Sequence, residues 1–316
     1  MNIDATASLR PDLNEGTLEY SNGLNSQYMG LELLPVYETD SKSGEFAKID
    51  VSEVKKAIGT GARAPGSGYE RLTHIVTADN YVCQEYGFEE TVDDGDKEQV
   101  DRYFESEMAT TELLINKLRR AQEVRIAAAV FNVTTFTAQT AGVGTEWDMA
   151  ATATPFQDIS DILPTLKANM GGVVDGEICL AVSDKVFQNI LQTTEIKNMR
   201  FGGVGADVDQ RPASKQELAQ ILGIDRVFCS AAQNNAVDIW DDEYAMIFVR
   251  NQSRSLKSQV QMGRTFLWTS DSPQNANVES YRDEAVRSNV IRVRQHLDEK
   301  ILTVEAAYLL SNITTA

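Results

Sequence analysis

The amino-acid sequence predicts an α+β protein organised around one very long helix. Three observations lead there. A segment of about 37 residues, from Asp96 to Asn132, contains no Gly or Pro and repeats apolar residues at helical spacing. A block of about 110 residues after it alternates short helical and extended patterns. Extended runs rich in β-branched and aromatic residues stand on either side.

The elements follow in order. Residues 1–36 form a polar arm punctuated by Asn14, Gly16, Asn22, Gly23 and Asn25. Such an arm buries too little apolar surface to fold alone, and a neighbouring subunit would hold it down. Residues 37–92 read as a long hairpin loop, two extended runs around the breaker-rich tip Gly59 to Gly68. Its sparse apolar residues make it marginal without another surface to lie on. Residues 93–154 hold the long helix. Val100, Phe104, Met108, Ile115 and Leu118, then Ala121, Val124 and Ala128, mark its predicted buried stripe, and acidic residues open it while Lys117, Arg119, Arg120 and Arg125 follow, as the macrodipole prefers. Sustained a/d heptads are missing, which argues against a coiled coil.

Residues 155–264 form the alternating α/β block. PFQDISDILPTLKANMGG predicts a helix, GEICLAVS a strand, and DKVFQNILQTTEI a second helix. SKQELAQILGI predicts a third, with Ser214 and Glu217 in the capping-box pattern and Gly223 at its end. Residues 265–316 return to strands. In NVIRVRQHLD, Ile291 and Val293 alternate with Arg292 and Arg294, Asp298-Glu299 predicts a turn, and KILTVEAAYLLSNI a closing strand.

Charge and chemistry exclude several function classes. The chain has 316 residues, 42% of them hydrophobic, and a net charge of −18. That surface repels phosphate, so sequence-specific nucleic-acid binding is not expected. No run approaches the roughly 18 apolar residues of a membrane helix, and the first residues predict neither signal peptide nor anchor. Cys83, Cys179 and Cys229 lie far apart without C-x-x-C spacing, which predicts free thiols and no structural zinc. His74 and His296 are over 200 positions apart, and no H-E-x-x-H, G-x-S-x-G or Walker A pattern occurs. GTGARAPG and FGGVGADVD lack Rossmann and P-loop spacing and read as turns. Asp93-Asp94 and Asp241-Asp242 fall far short of a calcium ligand set. No cofactor, metal or catalytic residue is expected.

The order of elements carries more information than any site. ARAPGSGYERLTHIVTADNYVCQEYGFEETVDD (Ala62 to Asp94) resembles the segment that runs down an extended loop into the spine helix of tailed-phage capsid proteins. LLINKLRRAQEVRIAAAVFN (Leu113 to Asn132) resembles the end of that helix. EWDMAATATPFQDISDI (Glu146 to Ile162) resembles the entry to their axial domain, and Leu222 to Val249 its late strands. The whole resembles the Hong Kong 97 phage-type capsid fold, with N-terminal arm, extended hairpin loop, spine helix, α/β axial domain and peripheral-domain strands.

The resemblance implies a major capsid protein that assembles, as hexamers and pentamers, into an icosahedral shell around double-stranded DNA. It implies location in the virion, and in host cytoplasm during assembly. It implies a portal, a separate scaffolding protein because no room precedes the arm, and cement proteins in some relatives. Val51, Gly59, Arg63, Pro65, Gly66 and Tyr69 are expected at subunit interfaces, and Leu114 and Leu118 in the spine-helix core. Lys48, Lys55 and Lys56 lie near the loop, but no cross-link is assigned. An encapsulin-like shell is the nearest alternative, and a soluble α/β enzyme the distant one.

Overall fold

The computed structural model describes residues 7–13, 28–63, 65–69, 71, 76–95, 103–172, 174–201, 213–252, 260–271 and 276–315. The chain begins with β1 (Ser8–Leu9), α1 (Gly30–Leu33) and β2 (Val36–Thr39). The hairpin strands β3 (Ser43–Ile49) and β4 (Val76–Val82) follow, with the short α2 (Val51–Val54) in the loop between them. β5 (Gln84–Asp93) precedes the long helix α3 (Tyr103–Val130). After β6 (Thr140–Gly142) come α4 (Pro155–Asn169), β7 (Glu177–Ser183), α5 (Asp184–Gln192), α6 (Thr194–Phe201), α7 (Lys215–Leu222) and β8 (Arg226–Ser230). The small hairpin β9 (Gln233–Asn234) and β10 (Val237–Asp238) leads to β11 (Tyr244–Arg250) and β12 (Gly263–Trp268). β13 (Asn277–Asp283), β14 (Ser288–Ile301) and β15 (Ala307–Ser311) close the chain.

Two sheets organise these elements. In the first, the order is β1-β13-β14-β12-β2, with β5 paired to the other edge of β14. Ile291 and Val293 of β14 alternate inward, as their spacing predicts, and meet Leu114 and Leu118 of α3 together with Val92 and Val278. α3 is 28 residues long, roughly 42 Å at 1.5 Å per residue. Residues 96–102 of the predicted helical segment, with Val100, lie outside the described residues.

The second sheet has the order β6-β15-β11-β7-β8. Its strands alternate between two cores. Leu180, Val182, Ile247 and Val249 face Ile159, Leu166, Phe187, Ile190, Leu218 and Leu222 from α4, α5 and α7. Cys179, Ala181, Met246, Phe248 and Leu309 face the other way, onto Ile126 and Val130 of α3, Trp240 and Leu33. Local signals explain the helices. Ser214 accepts from the Glu217 amide at the start of α7, and Gly223 ends it at φ +69°. Pro155 sits in the first turn of α4, where its missing N–H costs nothing.

Several expectations are corrected. Asp298-Glu299 makes no turn, and β14 runs straight through it. The two carboxylates serve as side-chain acceptors instead. Asp298 takes the Val82 amide at 3.0 Å, and Glu299 takes the Arg125 guanidinium at 2.7 Å. The closing strand then crosses to the second sheet, where β15 pairs with β11 and β6. The predicted second helix of the block is two, α5 and α6, because Thr193 is extended (ψ 144°).

The buried face of α3 also rotates away from the predicted stripe in its second half. Gln122, Glu123, Ile126, Ala127 and Val130 are buried, whereas Ala121 and Val124 are half-exposed and Ala128 exposed. Part of the arm docks on its own chain. β1 pairs with β13, Leu13 is fully buried, and Arg10 meets Glu107 at 3.1 Å.

Candidate assembly surface

The loop after β3 is fixed at its base and open beyond it. Tyr81 stacks on Phe266 at 4.8 Å, with Phe46 and Tyr37 beside them, so β3 and β4 sit against the first sheet. Lys48 donates to Asp79 at 3.1 Å and to the Leu302 carbonyl at 2.8 Å. Asp50 caps α2 by accepting the Ser52 amide. α2 in turn leans on the end of α4. Lys55 donates to Asn169 at 3.3 Å, and a Cβ on Gly171 would lie 2.9 Å from the Val54 carbonyl oxygen.

The proposed interface residues therefore divide into two groups. Val51 is 8% exposed and buried by its own chain, not by a neighbour. Its position in the first turn of α2, against the α4 end, removes it from any free surface. Gly59, Arg63, Pro65, Gly66 and Tyr69 all stand in the exposed part of the loop. Gly66 takes a φ of +86° that only a residue without Cβ adopts freely. Tyr69 is 75% exposed, and the Arg63 guanidinium lies 4.9 Å from its ring centre. Ile58, which the sequence reading did not single out, is 78% exposed. A large aliphatic side chain beside a Gly-rich tip was the signal that could have found it.

Charge sets this loop apart. From Val51 to Arg71 it carries Lys55, Lys56, Arg63 and Arg71 against Glu53 and Glu70, a net +2 on a chain of −18. Glu85, Glu89 and Asp93 stand exposed along β5.

Leu114 and Leu118 are 1% and 2% exposed between α3 and the first sheet. His296 is 3% exposed, with Nδ1 at 2.8 Å from Asp271 and its ring edge-on to Trp268, so it serves packing. His74 lies outside the described residues. Burial pushes the Cys83 thiol up to about 11 and the Cys179 thiol up to about 12, away from nucleophilic chemistry. The described residues contain no group of three His, Cys, Asp or Glu side chains able to hold a metal ion. No described helix is long and apolar enough to cross a membrane.

A buried carboxylate joins three parts of the chain. Glu123 of α3 accepts from the Met29 amide at 2.9 Å, the Gly30 amide at 2.9 Å and the Trp240 indole at 2.7 Å. Burial pushes its proton affinity up while these three donors oppose the rise. In the segment that resembles the axial-domain entry, Trp147 is fully buried and donates to Asp158 at 2.8 Å. That bond ties the segment after α3 to the first turn of α4.

Two sheets, a long helix between them, and a loop projecting from one give the fold expected from the resemblance to phage capsid proteins. The comparison with solved structures agrees. A phage-related protein from Bordetella bronchiseptica matches with a TM-score of 0.71 at 14% identity, over 98% of both chains. The capsid of cyanophage P-SCSP1u matches at 0.56 and 12% identity, over 90% of this chain and 87% of that one. An encapsulin from Synechococcus elongatus matches at 0.54 and 10% identity, over 90% and 86%. No family model and no curated protein matches the chain. The fold is thus of the Hong Kong 97 phage type, with α3 as its long helix.

Proposed function

We propose that this chain is the major capsid protein of a tailed double-stranded DNA phage. Copies associate as hexamers and pentamers and close into an icosahedral shell. The role is structural and not catalytic. The observation that carries the reading beyond fold is the loop: cationic, tipped by exposed Ile58 and Tyr69, on a strongly acidic chain. Such a segment gains little from its own subunit, and an acidic neighbour offers it both charge and cover. Many such contacts, each modest, give a firm shell while leaving errors correctable.

Val51 aside, the loop residues Gly59, Arg63, Pro65, Gly66 and Tyr69 form this intersubunit contact. The shell encloses DNA without reading its sequence, since the net charge of −18 disfavours phosphate contact. A scaffolding protein, a portal and cement proteins are the further partners. Assembly takes place in host cytoplasm, and the finished protein resides in the virion. An encapsulin-like shell remains the second reading, because the encapsulin likeness is nearly as strong as that to the cyanophage capsid.

Sedimentation velocity and negative-stain microscopy of the purified chain test the reading. Capsomers, sheets or shells are expected. A discrete small oligomer at every concentration contradicts shell building. Shells that hold an enzyme cargo and no genome favour the encapsulin-like reading.

A further inference from the structure

A groove of about 310 Å³ runs along α3 where it passes β5 and the β9–β10 hairpin. Phe88, Lys117, Arg120, Ala121, Val124 and Asn234 line it. Two of these, Ala121 and Val124, have core-type spacing in the sequence yet face the groove. Leu113, one helical turn before Lys117, is 55% exposed, and Phe88 is 42% exposed. Val237 pairs directly with Asn234 across the hairpin. Opposed residues of an antiparallel pair share a face, so Val237, 68% exposed, rises on the side of the groove.

The groove thus combines large apolar side chains with two cations, on a chain of net charge −18. Lys117 has an ion-pair partner in Glu90 at the rim, 3.5 Å away, and both side chains are exposed. Such a pair is weakly held and easily exchanged. Arg120 is exposed and forms no ion pair among the described residues.

We propose that this groove docks an acidic amphipathic segment of a second, different polypeptide. Its apolar side chains would cover Phe88 and Val124, and its carboxylates would meet Lys117 and Arg120. This is recognition of an amphipathic segment by an apolar groove with charged margins. The projecting loop of a second copy fits less well. The loop that projects Ile58 and Tyr69 also carries Lys55, Lys56 and Arg63, and it would meet like charge here. Nucleic acid would satisfy the cations but leave Phe88, Leu113 and Val237 in water.

The test is fluorescence anisotropy of the full chain with a labelled peptide of about 18 residues, long enough to be helical, with Leu and Phe on one face and Glu on the other. A second peptide replaces every Glu with Lys. The Glu peptide should bind and the Lys peptide should not, and about 0.5 M salt should weaken binding because the charges are exposed. Arg120→Glu and Phe88→Ser should each weaken the Glu peptide about tenfold with unchanged circular dichroism. If Phe88→Ser misfolds, Arg120→Glu, at an exposed helical position, gives the reading alone. Equal affinity for Arg120→Glu and the parent overturns the proposal. So does a parent dimer that Arg120→Glu abolishes while the peptide fails to bind, which makes a second copy the occupant. Displacement of the peptide by short duplex DNA at physiological salt overturns it in favour of nucleic acid.

Discussion

Glu123 shows how one side chain couples distant parts of the chain. It bonds the start of α1 and the Trp240 indole from within α3. Removing the indole donor by Trp240→Phe leaves a buried carboxylate short of a partner and should cost about 1–3 kcal/mol at neutral pH in urea unfolding. The pH dependence follows from the raised proton affinity. The ordinary glutamate value is 4.5, and the folded value lies above it. The stabilising contribution is therefore fully present below 4.5 and lost as pH rises through the folded value. Losing a donor raises that value further. The destabilisation by Trp240→Phe should shrink as pH falls towards 4.5, and a constant difference across that window would contradict the assignment. This coupling was only half legible in the sequence. Arg119, Gln122 and Glu123 are polar residues at positions where the helix turns its buried side, but nothing local identifies Met29, Gly30 and Trp240 as partners.

At the scale of elements, α3 and its sheet carry the clearest energetic expectation. Leu118 is buried against Ile291 and Val293, so Leu118→Ala should cost about 2–5 kcal/mol. Lys117 is exposed, and Lys117→Ala should stay within about 0.5 kcal/mol. Equal melting temperatures for the two variants would remove the packing argument. The loop should behave in the opposite way. Arg63 lies in an exposed stretch with few contacts to its own chain, so limited trypsin digestion of the free subunit should cut there first. First cleavage within α3 or α4 would show that the loop is better held than its exposure indicates.

Local chemistry made some elements readable and left others hidden. The Ser214 cap, the Gly223 stop and the alternation in β14 are written in neighbouring residues, and each forms where its spacing predicts. The run of β14 through Asp298-Glu299 is not, because the partners of those carboxylates, Val82 and Arg125, lie far away in sequence. The parallel pairings of β2 with β12 and β15 with β6 likewise depend on chain crossings that no short pattern encodes. The loop tip was readable as a loop through its Gly and Pro residues. The groove was not, since Ala121 and Val124 have the spacing of core residues and only the rotation of α3 exposes them.

For the whole molecule, charge and shape act together. A net charge of −18 keeps free subunits apart until specific contacts overcome repulsion, and in the proposed assembly the cationic loop is the complementary piece. The free subunit should show no gel shift with duplex DNA at physiological salt, and submicromolar salt-sensitive binding would contradict this account. The central claim is that the loop joins subunits and adds little to its own fold. The most direct measurement replaces Ala57 through Gly68 with a short Gly-Ser turn and compares both proteins by electron microscopy, with circular dichroism as the control. An unchanged dichroism spectrum is expected, with the loss of closed shells or with fragile and misshapen ones. Normal shells from the shortened protein, or its failure to fold, would contradict it.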